Sequence, residues 1–140
     1  MKKTIAIFTV LFALIIAPLQ SSASDIDPVT NADRAYFISV REAIMKNDKK
    51  WLADQMSLPM ECYVKGKKTT IESKEQFIQQ YNEIINEYVR ASAREQNEDD
   101  LFKNSQGFMV GKGAIWMVQT YDDEQNSKYY IYKINNKPRK

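Results

Sequence analysis

The chain has 140 residues, of which 20 are Lys or Arg and 18 are Asp or Glu, so its formal net charge is +2. It contains one cysteine and no histidine, which excludes an internal disulfide, histidine-dependent catalytic triads and the usual histidine zinc sites. Its length suits a single domain built around one hydrophobic core.

The first residues have the features of a secretory signal peptide. Lys2 and Lys3 form a short basic start, an uncharged apolar stretch follows, and small residues precede a polar segment. The apolar stretch covers about 12 to 15 residues, fewer than the roughly 20 that span a bilayer. We therefore predict cleavage after Ala23 or Ser24 and export to the periplasm or the medium, with no membrane association of the mature chain. No cysteine lies at this junction to carry a lipid anchor.

The mature chain predicted in this way is formally neutral. Removal of Lys2 and Lys3 leaves 18 basic residues against 18 acidic ones. A nucleic-acid-binding protein needs a basic surface that displaces counterions from phosphates. The charge balance therefore argues against nucleic acid as a partner.

Two helices are predicted at the start of the domain. Apolar residues recur at helical spacing from Tyr36 to Ile44, with charged residues on the opposite side. A short second helix contains Trp51 and ends before Pro59, because the residue before a proline disfavours helical geometry.

A long helix is predicted from Ser73 onward. Ser73 and Gln76 form a capping box, in which the two side chains can each satisfy a free amide at the helix start. Seven apolar residues then fall on one face, which must lie on a sheet: Phe77, Ile78, Tyr81, Ile84, Ile85, Tyr88 and Val89. Residues 90–106 become polar and are predicted as a helix end followed by a loop.

Antiparallel strands are predicted on both sides of this helix. Residues 60–71 alternate around a glycine-containing turn, which indicates a small hairpin. The stretch "GFMVGKGAIWMVQTY", residues 107–121, fits a second hairpin with Gly111, Lys112 and Gly113 in its turn. It does not fit a phosphate-binding loop, since the glycine spacing is too short, no Ser or Thr follows the lysine, and a β-type run comes next. Residues 128–135 supply a third strand.

The predicted order is two helices, a short hairpin, a long capped helix and three antiparallel strands. With the stretches "SKEQFIQQYNEI" and "LFKNSQGFMVGKGAIWM", this order resembles the nuclear transport factor 2-like superfamily, in particular its small secreted bacterial members. The resemblance implies a cone-shaped, cystatin-type α+β roll, in which a curved antiparallel sheet wraps around a long helix and encloses a pocket. The chain is then divided into a signal peptide (1–23), a flexible lead-in (24–32), a single α+β domain (33–136) and a C-terminal tail (137–140).

Four aromatic residues are the candidates for a ligand site at the mouth of that pocket: Tyr36, Tyr81, Trp116 and Tyr130. An aromatic ring can contact an apolar ligand there while its polar atom orients the ligand. Core packing is the alternative explanation for the same residues. The outer face of the sheet, carrying either Trp116 or Met117, is a second candidate surface, suited to a partner protein or to a homodimer.

No catalytic constellation is evident in the sequence, and no metal or cofactor site is predicted. Cys62 lies in the apolar phase of a strand and is expected to be buried and inert. The acidic runs at 98–100 and 122–124 have the character of solvated loops. We expect an exported, non-enzymatic binding protein, for a small apolar ligand in the cone or for a protein on the sheet face, of which an immunity-type protein is one example. The alternative is a small enzyme that uses a tyrosine and a carboxylate in the cone, as in isomerase-like relatives.

Overall fold

The computed structural model describes residues 26–138. The predicted signal peptide and its cleavage site lie outside the described residues. Within residues 26–138, no helix is both long and apolar enough to cross a membrane. The described chain folds as an α+β structure with two antiparallel sheets, one of two strands and one of four.

Two helices come first, as predicted. Helix α1 (Asn31–Lys46) begins with a capping box: the Thr30 hydroxyl accepts the Asp33 N–H at 3.1 Å, and the Asp33 carboxylate accepts the Thr30 N–H at 2.9 Å. Helix α2 (Lys49–Gln55) is capped by Asp48, whose carboxylate accepts the Trp51 N–H at 3.1 Å. The start of α1 at residue 31 shortens the lead-in that the sequence predicts.

The small hairpin is also confirmed. It consists of β1 (Met60–Val64) and β2 (Lys67–Ile71). Lys65 and Gly66 form a two-residue turn with positive φ angles of 51° and 77°. This geometry matches the right-handed twist of the flanking strands.

The predicted long helix starts where expected but is interrupted twice. Its pieces are α3 (Lys74–Gln79), α4 (Tyr81–Ile84) and α5 (Glu87–Glu95). Ser73 caps the first piece by accepting the backbone N–H three residues further on at 3.1 Å. Asn86 makes the same contact at 3.1 Å, so it starts a new helix rather than continuing the previous one.

The apolar side of this segment is largely buried despite the interruptions. Five of the residues assigned to it are at most 1% exposed: Phe77, Tyr81, Ile84, Ile85 and Val89. Ile78 is exposed and Tyr88 is half-buried. The hydrophobic pattern therefore predicted the buried side correctly, although it did not predict where the helix breaks.

The larger sheet has four antiparallel strands in sequence order. They are β3 (Phe102–Asn104), β4 (Gly107–Val110), β5 (Ile115–Tyr121) and β6 (Ser127–Ile134). Strand β3 is additional to the three strands that the sequence predicts, and it lies inside the segment expected to be a loop.

The glycine-rich stretch forms the hairpin that joins β4 to β5. Gly111 and Gly113 have φ angles of 60° and 90°, and the amide of Gly113 donates to the carbonyl of Val110 at 3.2 Å. Residues with side chains rarely adopt these angles, which accounts for both glycines. The hairpin prediction is confirmed.

This sheet has a buried inner face and a partly exposed outer face, because side chains alternate along each strand. Phe108, Met117 and Ile131 lie on the inner face and are at most 1% exposed. The ring of Tyr36, on α1, stacks on Tyr129 of the same face with centroids 4.8 Å apart. Helix α1 therefore packs on the inner face.

A β-bulge interrupts the pairing of β5 with β6. Trp116 pairs with Lys133 and Met117 pairs with Ile131, so Tyr132 has no partner opposite it. A bulge changes the direction of the side chains next to it. Here it places Tyr132 and Lys133 together on the outer side of β6.

Asn136, which follows β6 and is 3% exposed, joins the two sheets. Its side chain accepts the Tyr63 N–H at 2.8 Å and donates to the carbonyl oxygens of Tyr63 at 2.6 Å and Glu83 at 3.0 Å. Its own carbonyl accepts a hydrogen bond from the Asn86 side chain at 2.7 Å. The Asn136 side chain thus pairs with the backbone N–H and carbonyl of Tyr63 in β1, as the backbone of a neighbouring strand would.

Each edge of the larger sheet receives a hydrogen bond from a neighbouring segment. The carbonyl of Lys103 in β3 accepts the Asp27 N–H at 3.0 Å. The carbonyl of Ile131 in β6 accepts the Ser57 N–H at 2.8 Å, beside a parallel bridge to Met56.

Candidate functional site

The structure places Tyr36 and Tyr81 within the packed layer of helices. Tyr36 stacks on Tyr129, and its hydroxyl donates to the Gln55 side chain at 3.0 Å. Tyr81 is 1% exposed and packs edge-on against Phe77, with centroids 5.9 Å apart. Burial raises the pKa of both tyrosines. Core packing, the alternative weighed from the sequence, describes both residues.

Trp116 and Tyr130 lie on the outer face of the four-stranded sheet. Their neighbours in the strands, Met117 and Ile131, are directed to the buried inner face, so alternation sends Trp116 and Tyr130 to the other side. The four candidates are therefore divided between two sides of the sheet, and they do not form one pocket mouth. The sequence left open whether Trp116 or Met117 lies outside, and the structure assigns that place to Trp116.

Surface grooves give no better support to a pocket formed by these four residues. In the part of the chain that the structure describes, three open grooves have volumes between about 520 and 630 Å³, and none of these three is lined by any of the four. The interior between sheet and helices is occupied by packed apolar side chains that are at most 7% exposed.

The outer face carries a continuous row of apolar and aromatic side chains, which we call the outer aromatic surface. Its members are Phe102, Met109, Trp116, Val118, Tyr130 and Tyr132. Cross-strand pairs join Phe102 to Met109, Met109 to Trp116, and Val118 to Tyr130, and Trp116 lies against Tyr132 with ring centroids 6.3 Å apart. Phe102 is 37% exposed and the others are half-buried. Such a row is larger than the single exposed apolar residues that need no explanation.

A buried acidic residue, Asp33, forms a second cluster. Its carboxylate accepts hydrogen bonds from the Lys103 ammonium at 2.7 Å, the Tyr129 hydroxyl at 2.9 Å and the Thr30 amide. Asp33 is 0% exposed. Burial alone would raise the pKa of this carboxyl, but the hydrogen bonds together lower it below its usual value. Burial and the hydrogen bond to Asp33 raise the pKa of Tyr129 to about 12.

This cluster holds elements together and is poorly suited to proton transfer. It contains the carboxylate and tyrosine that the enzyme alternative requires, and it lies beside Tyr36. A general base at neutral pH needs a raised pKa and access to its substrate, whereas Asp33 has a lowered pKa and no exposure. The cluster instead joins the start of α1 to β3 and β6.

Sequence reasoning did not find Asp33. The local signal was present, because Thr30 and Asp33 have the spacing of a capping box. Its partners Lys103 and Tyr129 are 70 and 96 residues away along the chain, so no periodicity could connect them.

Cys62 is 3% exposed, as expected for a core residue. Burial raises the pKa of its thiol to about 11, so the reactive thiolate is scarce at neutral pH. Among residues 26–138, no three His, Cys, Asp or Glu side chains are grouped in a way that could hold a metal ion.

Fold and surface together define an α+β protein whose larger sheet covers its helices with one face and presents aromatic side chains on the other. No protein-family model matches the chain, and comparisons with curated proteins and with solved structures give no significant match.

Proposed function

We propose that this chain is an exported, non-enzymatic binding protein that binds a partner protein through the outer aromatic surface. The observation that carries the proposal is the row of half-buried aromatic side chains on the sheet face opposite the helices. Trp, Tyr, Phe and Met are enriched at protein interfaces, and they contribute large contact areas with few rotatable bonds.

The rigidity of this surface supports the same proposal. Met109 and Trp116 face each other across β4 and β5, and Val118 and Tyr130 do so across β5 and β6. Side chains fixed by cross-strand neighbours lose little conformational entropy when a partner covers them. The buried inner face, in contrast, favours a protein on the outside over a small apolar ligand inside the domain.

For its fold we propose the nuclear transport factor 2-like arrangement. The resemblance of the sequence and the order of helices and antiparallel strands support this part of the proposal. Export rests on the signal-peptide pattern of residues 1–23. N-terminal sequencing of the exported protein tests it: we expect a start at Ser24 or Asp25, and an intact Met1 in the exported fraction would contradict export.

The binding proposal is tested with immobilised wild-type protein and a Trp116→Ser, Tyr130→Ser double variant. Tyr121→Ser is the matched control, because Tyr121 is an aromatic residue at the end of β5 that is already 63% exposed. Proteins retained from the exported fraction of the producing cells are identified by mass spectrometry. Each is then purified and titrated against all three forms, and sedimentation of the protein alone shows whether the partner is a second copy.

We expect a partner that binds the wild type and the Tyr121→Ser control equally. Loss of a central interface Trp costs about 2 kcal/mol or more, so the double variant should bind at least roughly 30-fold more weakly. Equal binding by the double variant and the wild type would overturn the proposal.

A further inference from the structure

A second surface feature, which we call the basic groove, lies between the β1–β2 hairpin and the end of β6. It has a volume of about 630 Å³. Three lysines and two tyrosines line it: Lys68, Lys133, Lys137, Tyr63 and Tyr132. The mature chain is predicted to be neutral, so this local excess of positive charge is not a consequence of the overall composition.

The positive charge of the groove is only partly neutralised within the described part of the chain. Glu61 also lines the groove and forms an ion pair with Lys68, with 2.9 Å between nitrogen and oxygen. Lys133 and Lys137 take part in none of the ion pairs formed among residues 26–138. Two lysine charges are therefore available to an anionic ligand.

Two features of the fold place these lysines. The β-bulge at Tyr132 brings Lys133 to the outer side of β6. The side chain of Asn136 fixes the segment after β6 to β1 through the backbone N–H and carbonyl of Tyr63. The ammonium of the next residue, Lys137, lies 4.9 Å from the centre of the Tyr63 ring. A cation over an aromatic ring is held by the negative charge of the ring face.

The basic groove is continuous with the outer aromatic surface. Tyr132 belongs to both, because it lines the groove and lies against Trp116. A partner bound to the outer aromatic surface can therefore contact the basic groove at the same time.

We propose that the basic groove binds a carboxylate-rich segment of the protein partner. This inference rests on the proposed function and adds the chemistry of the partner to it. Charge complementarity between lysines and carboxylates orients a partner and speeds its association. Tyr63 and Tyr132 supply apolar walls for the carbon atoms of Asp and Glu side chains.

A nucleic acid fits the groove less well than an acidic peptide. Phosphate-binding surfaces use arginine forks and many cations, about 6 to 10 phosphate contacts in well-studied DNA-binding proteins. Among the residues that the structure describes (26–138), the groove offers three lysines and no arginine, and a carboxylate shares the space.

The test uses fluorescein-labelled hexaglutamate as probe, with labelled hexalysine and a six-nucleotide thymidine strand as comparisons. Binding to the mature protein is followed by fluorescence anisotropy at low and at physiological ionic strength. The variants are Lys133→Glu and Lys137→Glu, with Lys133→Ala as a milder change. Lys112→Glu is the control, because Lys112 is an exposed lysine in the β4–β5 turn and the change in net charge is identical.

We expect hexaglutamate to bind more tightly than either comparison probe, and more weakly as salt screens the charges. Each charge reversal in the groove should weaken hexaglutamate binding about tenfold or more. Lys133→Ala should weaken this binding by less, and Lys112→Glu by less than about twofold. Equal weakening by Lys112→Glu, or preference for the thymidine strand, would overturn the inference. If partner capture depends on Trp116 but hexaglutamate does not bind, the inference about the basic groove is refuted and the proposed function is not. Hexaglutamate binding that depends on Lys133, together with capture that does not depend on Trp116, would refute the proposed function.

Discussion

Replacing Asn136 by aspartate tests the connection between the two sheets with almost no change in side-chain shape. The variant retains an oxygen that can accept the Tyr63 N–H, but it loses the NH₂ group that donates to the carbonyls of Tyr63 and Glu83. Each carbonyl left without its partner in a buried site costs about 1 to 3 kcal/mol. A carboxylate oxygen facing two carbonyl oxygens adds repulsion. We therefore expect Asn136→Asp to lower the free energy of unfolding by about 3 to 5 kcal/mol at pH 7.

The loss should depend on pH in a defined direction. Two carbonyl oxygens disfavour the charged form of the introduced carboxyl, so its pKa in the folded state lies above the value of about 3.9 in the unfolded chain. A raised pKa gives stability that is fully present below the unfolded pKa and is lost as the pH rises through the folded pKa. The protonated carboxyl can also donate one hydrogen bond, so the difference from wild type should become smaller below about pH 4.

The assay is urea titration followed by tryptophan fluorescence and circular dichroism, at pH 7 and below pH 4. Asn82→Asp is the matched control, because Asn82 is exposed, and its cost should stay under about 0.5 kcal/mol. Equal losses at positions 82 and 136 would refute the role assigned to Asn136. A loss at position 136 that does not change with pH would refute the role of the two carbonyls.

Three further predictions concern the core and the turns. Asp33→Asn should cost about 3 kcal/mol at pH 7, because it leaves a partly buried lysine without its anion. Although burial alone raises the pKa of Asp33, its hydrogen bonds lower that pKa, so the stability that the carboxylate gives is present above about pH 4 and is lost as the pH falls. In acid titrations the wild type should therefore lose its stability advantage over Asp33→Asn. A difference in stability that stays constant with pH would contradict this role. Gly107→Ala should cost about 2 to 4 kcal/mol, because Gly107 has a positive φ and the added Cβ would collide with the carbonyl oxygen of Met117. Gly66 also has a positive φ, but a Cβ added there meets no atom within 4 Å, so Gly66→Ala should cost only about 1 kcal/mol. Equal melting temperatures for the two variants would refute the collision. Ile84→Ala should cost about 2 to 5 kcal/mol in urea titrations, and a loss below about 1 kcal/mol would show that the buried side of the segment is misassigned.

Local features of the fold could be predicted because they depend on residues close together in the sequence. The glycine turn at residues 111–113 and the cap at Ser73 are short-range geometry, and both are confirmed. The buried stripe of the central segment follows from helical periodicity. Its interruption at Asn86 does not, because an asparagine caps a helix only when the surrounding contacts favour a break, and here its side chain also reaches Asn136.

Features that depend on distant pairing could not be predicted. Strand β3 has three residues and no clear alternation, and its pairing with β4 defines it. The Asp33 cluster joins residues from three separate elements. Residue type alone makes Tyr36, Tyr81, Trp116 and Tyr130 candidates for one pocket, whereas the face on which each lies is decided by packing.

The hydrogen bonds at the two edges of the larger sheet limit the ways in which another chain can attach. An uncovered edge strand invites strand addition, either by a ligand peptide or by a neighbouring copy on the way to aggregation. The backbone N–H of Asp27 already donates to the carbonyl of Lys103 in β3, and the N–H of Ser57 donates to the carbonyl of Ile131 in β6. An added strand therefore cannot form a complete hydrogen-bond ladder at either edge unless it displaces one of these segments. At the larger sheet, association is thereby directed toward side chains and away from backbone ladders, so this sheet can expose an aromatic surface while both of its edges are partly occupied.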